Sequence, residues 1–283
     1  MKKTKYVFKN KVLNYPKLLK SINEDFKNIL IIGSTNGGTT LLTALLYQNY
    51  KIDSYLKESQ FDFNVKSAFY IKRSVYFQNF KDYFNTISFT DFDIINFKKA
   101  CLSIYKLRSK PNFNQINTVI DKSPNVHFYR LKVYHKCFSN LFPIVIFRDP
   151  VEVISGMKKK WILFRQASIK DLAFFWVDSY NQIFEFENFT DLKLLFINLE
   201  KLKNDTDNSL KSIEDFTSIE KRKIPLSIKH SNSKQGKGLR VSNSNNIVIS
   251  SKSKIIDNLT DDEVMLIKKI TNTLYGLLCE KAN

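Results

Sequence analysis

The residues best suited to chemistry lie in a glycine-rich turn near the N-terminus. Gly33, Gly37 and Gly38 punctuate a polar stretch that follows the apolar run 28–32 and ends in two threonines. A turn of this kind at the start of a helix directs backbone N–H groups and the positive end of the helix dipole at one point, which suits a phosphate. The residues that we expect to bind it are Ser34, Thr35, Asn36, Gly37, Gly38, Thr39 and Thr40.

The turn lacks the lysine of a nucleoside-triphosphatase loop. That loop has the pattern G-x-x-x-x-G-K-[S/T], and Thr39 stands where its lysine belongs. Without this lysine the β- and γ-phosphates lose their principal cation, so the sequence disfavours an ATP or GTP hydrolase. A turn that merely connects a strand to a helix is the structural alternative.

Two later segments place a cation after an apolar run. In Asp121-Lys-Ser-Pro-Asn125, the proline turns the chain and holds Lys122 at the carboxyl edge of a sheet, where ligands of open α/β folds bind. In the second segment, Arg148 follows the run 143–147. The planar guanidinium pairs with two phosphate oxygens at once, so Arg148 is a second candidate for phosphate binding.

The elements that position these residues alternate between strand and helix. Apolar, β-branched runs predict buried strands at 28–32, 118–121, 143–147 and 192–197. Helical spacing follows at 39–46, 168–189, 208–216 and 261–278, and Thr260 with Glu263 predicts a capping box for the last of these helices. Strands that each precede a helix indicate an α/β fold with a parallel, doubly wound sheet of the P-loop type, flanked by helices.

The chain length fits one domain, 1–283. Within it we expect a mainly helical insertion over about 62–117, which is rich in aromatic residues, and a polar loop over about 227–253.

The composition indicates which kinds of partner the protein could bind and where in the cell it is expected. The formal charge of +18 attracts polyanions without choosing among them. Three widely spaced cysteines suggest neither a disulfide framework nor a metal site. With no apolar run long enough for a signal peptide or a transmembrane span, we expect a soluble, cytoplasmic protein.

Taken in order, the segments resemble those of the sulfotransferases that use 3'-phosphoadenosine 5'-phosphosulfate. The glycine turn is similar to their 5'-phosphosulfate loop, G-x-x-[R/K]-S-G-T-[T/S]-L-L, and Asp121-Lys-Ser-Pro to their [E/D]-K-[S/T]-P segment. Arg148-Asp-Pro, with Ser155 on the ensuing helix, resembles their 3'-phosphate site. The resemblance spans about residues 28 to 278, although only these three segments are specific.

The sequence departs from the family pattern at both phosphate sites. Asn36 replaces the Arg or Lys that in the family contacts the transferring sulfuryl group, and Gly37 replaces a serine. The family serine lies eight residues after the arginine, where this chain has Gly156. Ser155 is one position early, displaced by ~100° around a helix.

The resemblance implies sulfuryl transfer without a metal. Glu58, in a Lys-Glu-x-x-Phe segment like that of the glycan sulfotransferases, would deprotonate the acceptor hydroxyl. His127 is the alternative base, although a packed role suits it better. Lys122 would stabilise the leaving oxygen and compensate for Asn36.

The resemblance also bears on the partners. Lys234 and Gly236 would cover the nucleotide from the polar loop. The Lys-Glu segment favours a saccharide acceptor, with another small hydroxyl compound or an amine as alternatives, while the motifs leave acceptor identity and oligomeric state open.

Two rival hypotheses remain at this point. A noncatalytic nucleotide- or glycan-binding protein on the same fold is compatible with Asn36 in place of a cation. The second rival hypothesis is a protein that binds nucleic acid through its positive net charge. The order of the three segments favours the nucleotide site, and we expect no nucleic-acid partner.

Overall fold

The computed structural model describes most of the chain, with the gaps concentrated before residue 22, between 57 and 115, and between 225 and 257. The described residues are 22–56, 94, 95, 97–99, 101, 102, 105, 116–160, 162–224, 239–241, 247–249 and 258–283. Glu58, Lys234 and Gly236 therefore lie outside the described residues.

A five-stranded parallel sheet forms the centre of the fold. Its strands are β1 Ile22–Ile32, β2 Ser54–Leu56, β3 Ile116–Lys122, β4 Leu141–Phe147 and β5 Leu195–Asn198. They are ordered β2-β3-β1-β4-β5, and every pair of neighbours runs parallel. The chain extends from β1 to β2 and β3 on one side and to β4 and β5 on the other, so a crevice opens at the carboxyl end of β1.

Helices flank the sheet on both faces. The helices are α1 Thr39–Asn49, α2 Val126–Cys137, α3 Pro150–Lys160, α4 Ile162–Arg165, α5 Ile169–Glu187, α6 Leu199–Asn204, α7 Thr206–Thr217 and α8 Asp261–Lys281. One apolar core contains side chains of α2, α3, α5 and α8, and the other contains side chains of α1, α6 and α7. The prediction of a doubly wound parallel sheet flanked by helices is thus confirmed.

The strands divide their side chains between the two cores. In β1, Leu30 and Ile32 belong to the core of α2, α5 and α8, whereas Ile29 and Ile31 belong to that of α1 and α7. This follows from the alternation of side chains along a strand. The continuous apolar run at 28–32 is therefore the signature of a strand that is buried on both faces.

Local signals explain where several helices begin. Thr260 and Glu263 form the predicted capping box at the start of α8. Ser168 caps α5 by accepting a hydrogen bond from the backbone N–H of Asp171 at 3.0 Å. Asp149 caps α3, since its Oδ1 accepts from the backbone N–H of Val151 at 2.8 Å, and Pro150 occupies the first helical position.

Parts of the predicted insertion and of the polar loop are described. Residues 94, 95, 97–99, 101, 102 and 105 are helical, whereas β3 begins at Ile116, inside the range predicted for the insertion. In the polar segment, β6 Leu239–Val241 and β7 Ile247–Ile249 form an antiparallel pair, so 227–253 is not loop throughout.

Candidate functional site

The glycine turn joins β1 to α1 at the carboxyl edge of the sheet, and close packing explains the glycines at its two ends. A β-carbon on Gly33 would lie 2.6 Å from the carbonyl oxygen of Ile146. Gly38 has φ +102°, and a β-carbon there would lie 2.7 Å from Cδ1 of Leu199. With glycine at these positions, the turn packs directly against the ends of β4 and β5. Helix α1 then begins with its first backbone N–H groups at the edge of the sheet.

Ser34 is buried beneath the turn and fixes its shape. Its carbonyl oxygen accepts a hydrogen bond from the Gly37 N–H at 2.9 Å. The Tyr180 hydroxyl, from α5, accepts from the Ser34 N–H at 3.5 Å and donates to the Ile146 carbonyl at 3.0 Å. Burial raises the pKa of Tyr180 to about 12, so the phenol stays protonated and keeps donating.

Asn125, which ends the Lys-Ser-Pro segment, clamps the turn. Its Oδ1 accepts from the Thr35 N–H at 2.9 Å, and its Nδ2 donates to Thr35 Oγ1 at 2.8 Å. Its own backbone N–H donates to the Gly33 carbonyl at 3.0 Å. Asn125 has φ 63°, a left-handed conformation that asparagine adopts more readily than most residues.

Lys122 belongs to the same assembly. It ends β3 next to Ile31 of β1, and its Nζ donates to Thr40 Oγ1, in the first turn of α1, at 3.1 Å. Its side chain is almost entirely buried, while Thr40 is exposed. The predicted cation therefore lies beside the N-terminus of α1, where an anion would be held.

Asp121 points to the opposite face of β3 and anchors a buried polar cluster. Its Oδ2 accepts from the hydroxyls of Tyr134 at 2.6 Å and Tyr105 at 3.1 Å, and its Oδ1 lies 3.2 Å from His127 Nε2. Burial raises the pKa of both tyrosines well above the usual range, which keeps them as donors.

His127 is fully buried within this cluster. Desolvation lowers its pKa, and the neighbouring Asp121 only partly opposes that shift. The imidazole is therefore neutral at pH 7. Its contact with Asp121 suits a packed side chain better than a base facing an acceptor.

Arg148 follows β4 and is paired with carboxylates. The guanidinium forms an ion pair with Glu152, one helical turn along α3, and its Nε lies 3.8 Å from Glu200 Oε1. Glu200 also pairs with Lys203 at 2.6 Å. A phosphate bound at Arg148 would compete with the Glu152 carboxylate for the N–H donors of the guanidinium.

The adjacent residues Ser155 and Gly156 face different parts of the molecule. Ser155 is fully buried, and its hydroxyl donates to Oδ1 of Asn258, just before α8, at 2.5 Å. Gly156 faces the glycine turn, because a β-carbon there would lie 3.1 Å from Asn36 Cγ. To reach a phosphate, the Ser155 hydroxyl would first have to leave Asn258.

The described residues thus bring the glycine turn, Lys122 and Arg148 to one edge of the sheet. Sequence reasoning missed Asn125, Tyr180 and Glu152. Asn125 directly follows the motif that contains Lys122, and its tolerance of positive φ was the available signal. Tyr180 lies in the range 168–189, for which the sequence predicted only a helix with an apolar face.

A comparison with protein-family models gives a match over residues 28–223 to the model described as "Sulfotransferase family". The chain belongs to the sulfotransferase family. The matched range begins in β1 and includes the glycine turn, Lys122 and Arg148, so the features that suggested the resemblance lie inside it. Among curated protein sequences, none matches this chain.

Sulfotransferases are among the solved structures similar to this chain. The sulfotransferase domain of the Synechococcus PCC 7002 olefin synthase is 16% identical, with 87% of this chain and 95% of that chain covered at a TM-score of 0.48. Sulfotransferase STF9 from Mycobacterium avium is 12% identical, with coverage of 76% and 68% and a TM-score of 0.43. The family match carries the assignment.

None of the described helices is long and apolar enough to cross a membrane. Within the described part of the chain, no group of three His, Cys, Asp or Glu side chains is arranged to hold a metal ion.

Proposed function

We propose that the chain is a sulfotransferase that moves a sulfuryl group from 3'-phosphoadenosine 5'-phosphosulfate to a hydroxyl or amine acceptor, with a saccharide as the favoured class. The observation that carries this proposal is the junction of the glycine turn with Lys122, whose Nζ lies 3.1 Å from Thr40 Oγ1. It combines helix N–H groups and a cation at the carboxyl end of β1 in a member of the family.

In this proposal the residues 34–40 hold the 5'-phosphosulfate, chiefly through the N–H groups of Gly38, Thr39 and Thr40. Arg148 pairs with the 3'-phosphate after that phosphate displaces Glu152. Ser155 was predicted as its partner, and it would have to exchange Asn258 for the phosphate. Lys234 and Gly236 are proposed to cover the nucleotide.

The proposed reaction is an in-line displacement at sulfur. A bond forms from the acceptor oxygen to sulfur while the bond from sulfur to the bridging phosphate oxygen breaks, and Glu58 takes the acceptor proton. Negative charge develops on the oxygen that leaves with adenosine 3',5'-bisphosphate. Lys122 stabilises that charge, an electrostatic contribution of ~3 kcal/mol for one donor. The chemistry requires no metal.

Donor turnover tests this function. Purified protein is mixed with donor and a panel of glycans and small alcohols, and release of adenosine 3',5'-bisphosphate is measured. We expect turnover with at least one acceptor, and a loss of about 100-fold or more in Lys122→Ala. Lys136→Ala, which removes an exposed lysine from α2, is the matched control and keeps full activity.

Two outcomes contradict the proposal in different ways. Full activity in Lys122→Ala would remove the role of this lysine. Tight donor binding without turnover on any acceptor would favour a noncatalytic nucleotide-binding protein, a second candidate that Asn36 supports because it replaces the usual cation.

A further inference from the structure

Two of the three departures from the family pattern, Asn36 and Gly156, lie side by side. A β-carbon on Gly156 would lie 3.1 Å from Cγ and 3.2 Å from Nδ2 of Asn36. Real β-carbons rarely approach other atoms so closely, so a side chain at position 156 would require Asn36 to shift by a few tenths of an ångström. The carboxamide of Asn36 therefore borders the space into which a side chain at position 156 would project.

Position 156, and not position 155, lies on the nucleotide side of α3. Gly156 meets Asn36 of the glycine turn, whereas Ser155 donates to Asn258. Neighbouring helical residues differ by ~100° in direction, so one helix presents these two faces to different partners. A side chain that contacts the nucleotide from this part of α3 must therefore belong to position 156 or to Asn36, which lies against it.

The strand register brings Asn36 and Arg148 to the same side of the crevice. β1 and β4 are parallel neighbours, with Ile32 paired to Val145. Asn36 follows the end of β1, and Arg148 follows the end of β4. Asn36 lies against α3, the helix that begins just after Arg148. The side-chain amide of Asn36 is therefore on the side of the site that we assign to the 3'-phosphate.

We propose that Asn36 is a specificity-determining residue that donates a hydrogen bond from Nδ2 to the 3'-phosphate beside Arg148. It then supplies from the glycine turn the donor that a serine at position 156 would have supplied. In the family, the cation at position 36 contacts the transferring sulfuryl group. Asn36 instead binds the 3'-phosphate. This inference rests on the proposed function.

The test compares two nucleotides that differ only in the 3'-phosphate, adenosine 3',5'-bisphosphate and AMP. Calorimetry measures both affinities in the wild type and in Asn36→Gly, which keeps the positive φ of 65° without strain. We expect Asn36→Gly to bind the bisphosphate about tenfold more weakly, as for loss of a hydrogen bond to a charged group, with AMP affinity unchanged.

Two further variants sharpen the comparison. Asn36→Asp keeps the shape but replaces the donor with an acceptor, so its loss of bisphosphate affinity exceeds that of Asn36→Gly. Ser218→Gly is the matched control, because Ser218 also has positive φ, at 49°, and its exposed side chain lies at the end of α7. Its two affinities equal those of the wild type.

A rescue variant tests the spatial part of the inference. In Asn36→Gly/Gly156→Ser the space beside position 156 is open, and the new serine hydroxyl restores most of the preference for the bisphosphate. Donor kinetics give an independent readout. Asn36→Gly raises KM for the donor about tenfold and leaves kcat within about threefold, since the lost contact is equally present before and during transfer.

Several results would overturn the inference. Equal losses for both nucleotides, a fall in kcat with unchanged KM, or a rescue variant no better than Asn36→Gly would each do so. Loss of the 3'-phosphate preference in Ser155→Ala but not in Asn36→Gly would assign the role to Ser155. A wild type that binds both nucleotides equally would instead refute the proposed function itself.

Discussion

Replacing Asn125 tests whether the Lys-Ser-Pro segment and the glycine turn act as one unit. Asn125→Gly removes both side-chain hydrogen bonds to Thr35 and keeps the positive φ of 63° without steric cost. Asn125→Asp keeps the acceptor for the Thr35 N–H, and the Thr35 hydroxyl can rotate to donate to the new carboxylate. Asn125→Gly therefore removes two side-chain bonds from the clamp, whereas Asn125→Asp keeps both.

The structure sets the expected magnitudes. Each hydrogen bond contributes about 1 kcal/mol net, so the bonds lost in Asn125→Gly cost about 2 kcal/mol. Added freedom of glycine in the unfolded chain costs up to about 1 kcal/mol more. We expect the free energy of unfolding to fall by about 2–3 kcal/mol in Asn125→Gly and to change by less than about 0.5 kcal/mol in Asn125→Asp.

Urea unfolding measures these changes, and nucleotide calorimetry measures their effect on the site. We expect weaker binding of adenosine 3',5'-bisphosphate in Asn125→Gly, because the turn loses its two side-chain contacts with the segment that holds Lys122. Ser218→Gly again serves as the control, since it places glycine at a positive φ in an exposed residue. A change below about 0.5 kcal/mol in Asn125→Gly, the size typical of a surface substitution, would refute the clamp.

Three further predictions concern the support of the site. Gly33→Ala destabilises the fold by about 1–3 kcal/mol or prevents folding, because its β-carbon would lie 2.6 Å from the Ile146 carbonyl, and thermal unfolding measures the loss. Tyr180→Phe lowers the free energy of unfolding by about 1 kcal/mol in urea, since this carbonyl loses its hydroxyl donor; an unchanged value would contradict that contact. For His127, whose pKa is lowered from an ordinary 6.5, stability is full above that value and falls as the pH drops below it, because the unfolded chain binds a proton that the buried imidazole does not. Urea unfolding at several pH values should show a smaller fall in His127→Gln, and an identical fall would show that other groups cause it.

The parts of the fold that depend on local sequence could be predicted. The run 28–32, the glycines after it and the apolar spacing of α1 are contiguous, and together they specify strand, turn and helix. Thr260 and Glu263 are likewise three residues apart, and their capping box formed as predicted. Alternation of strands with helices then indicated the parallel sheet.

The contacts that shape the site depend on segments far apart in the chain. Asn125 and Thr35 are separated by 90 residues, and no local pattern indicates that they meet. The same holds for Asn36 and Gly156, which appeared in the sequence as two unrelated departures and are one contact in the structure. For Ser155, helix geometry gave the correct ~100° offset, but the hydrogen bond to Asn258 depends on the packing of α8.

The most direct test of the central claim is calorimetry of the wild-type protein with adenosine 3',5'-bisphosphate and with AMP. A nucleotide site with Arg148 at the 3'-phosphate predicts that the bisphosphate binds at least about tenfold more tightly, as expected for one charge-assisted contact. Equal affinities for the two nucleotides would contradict the account.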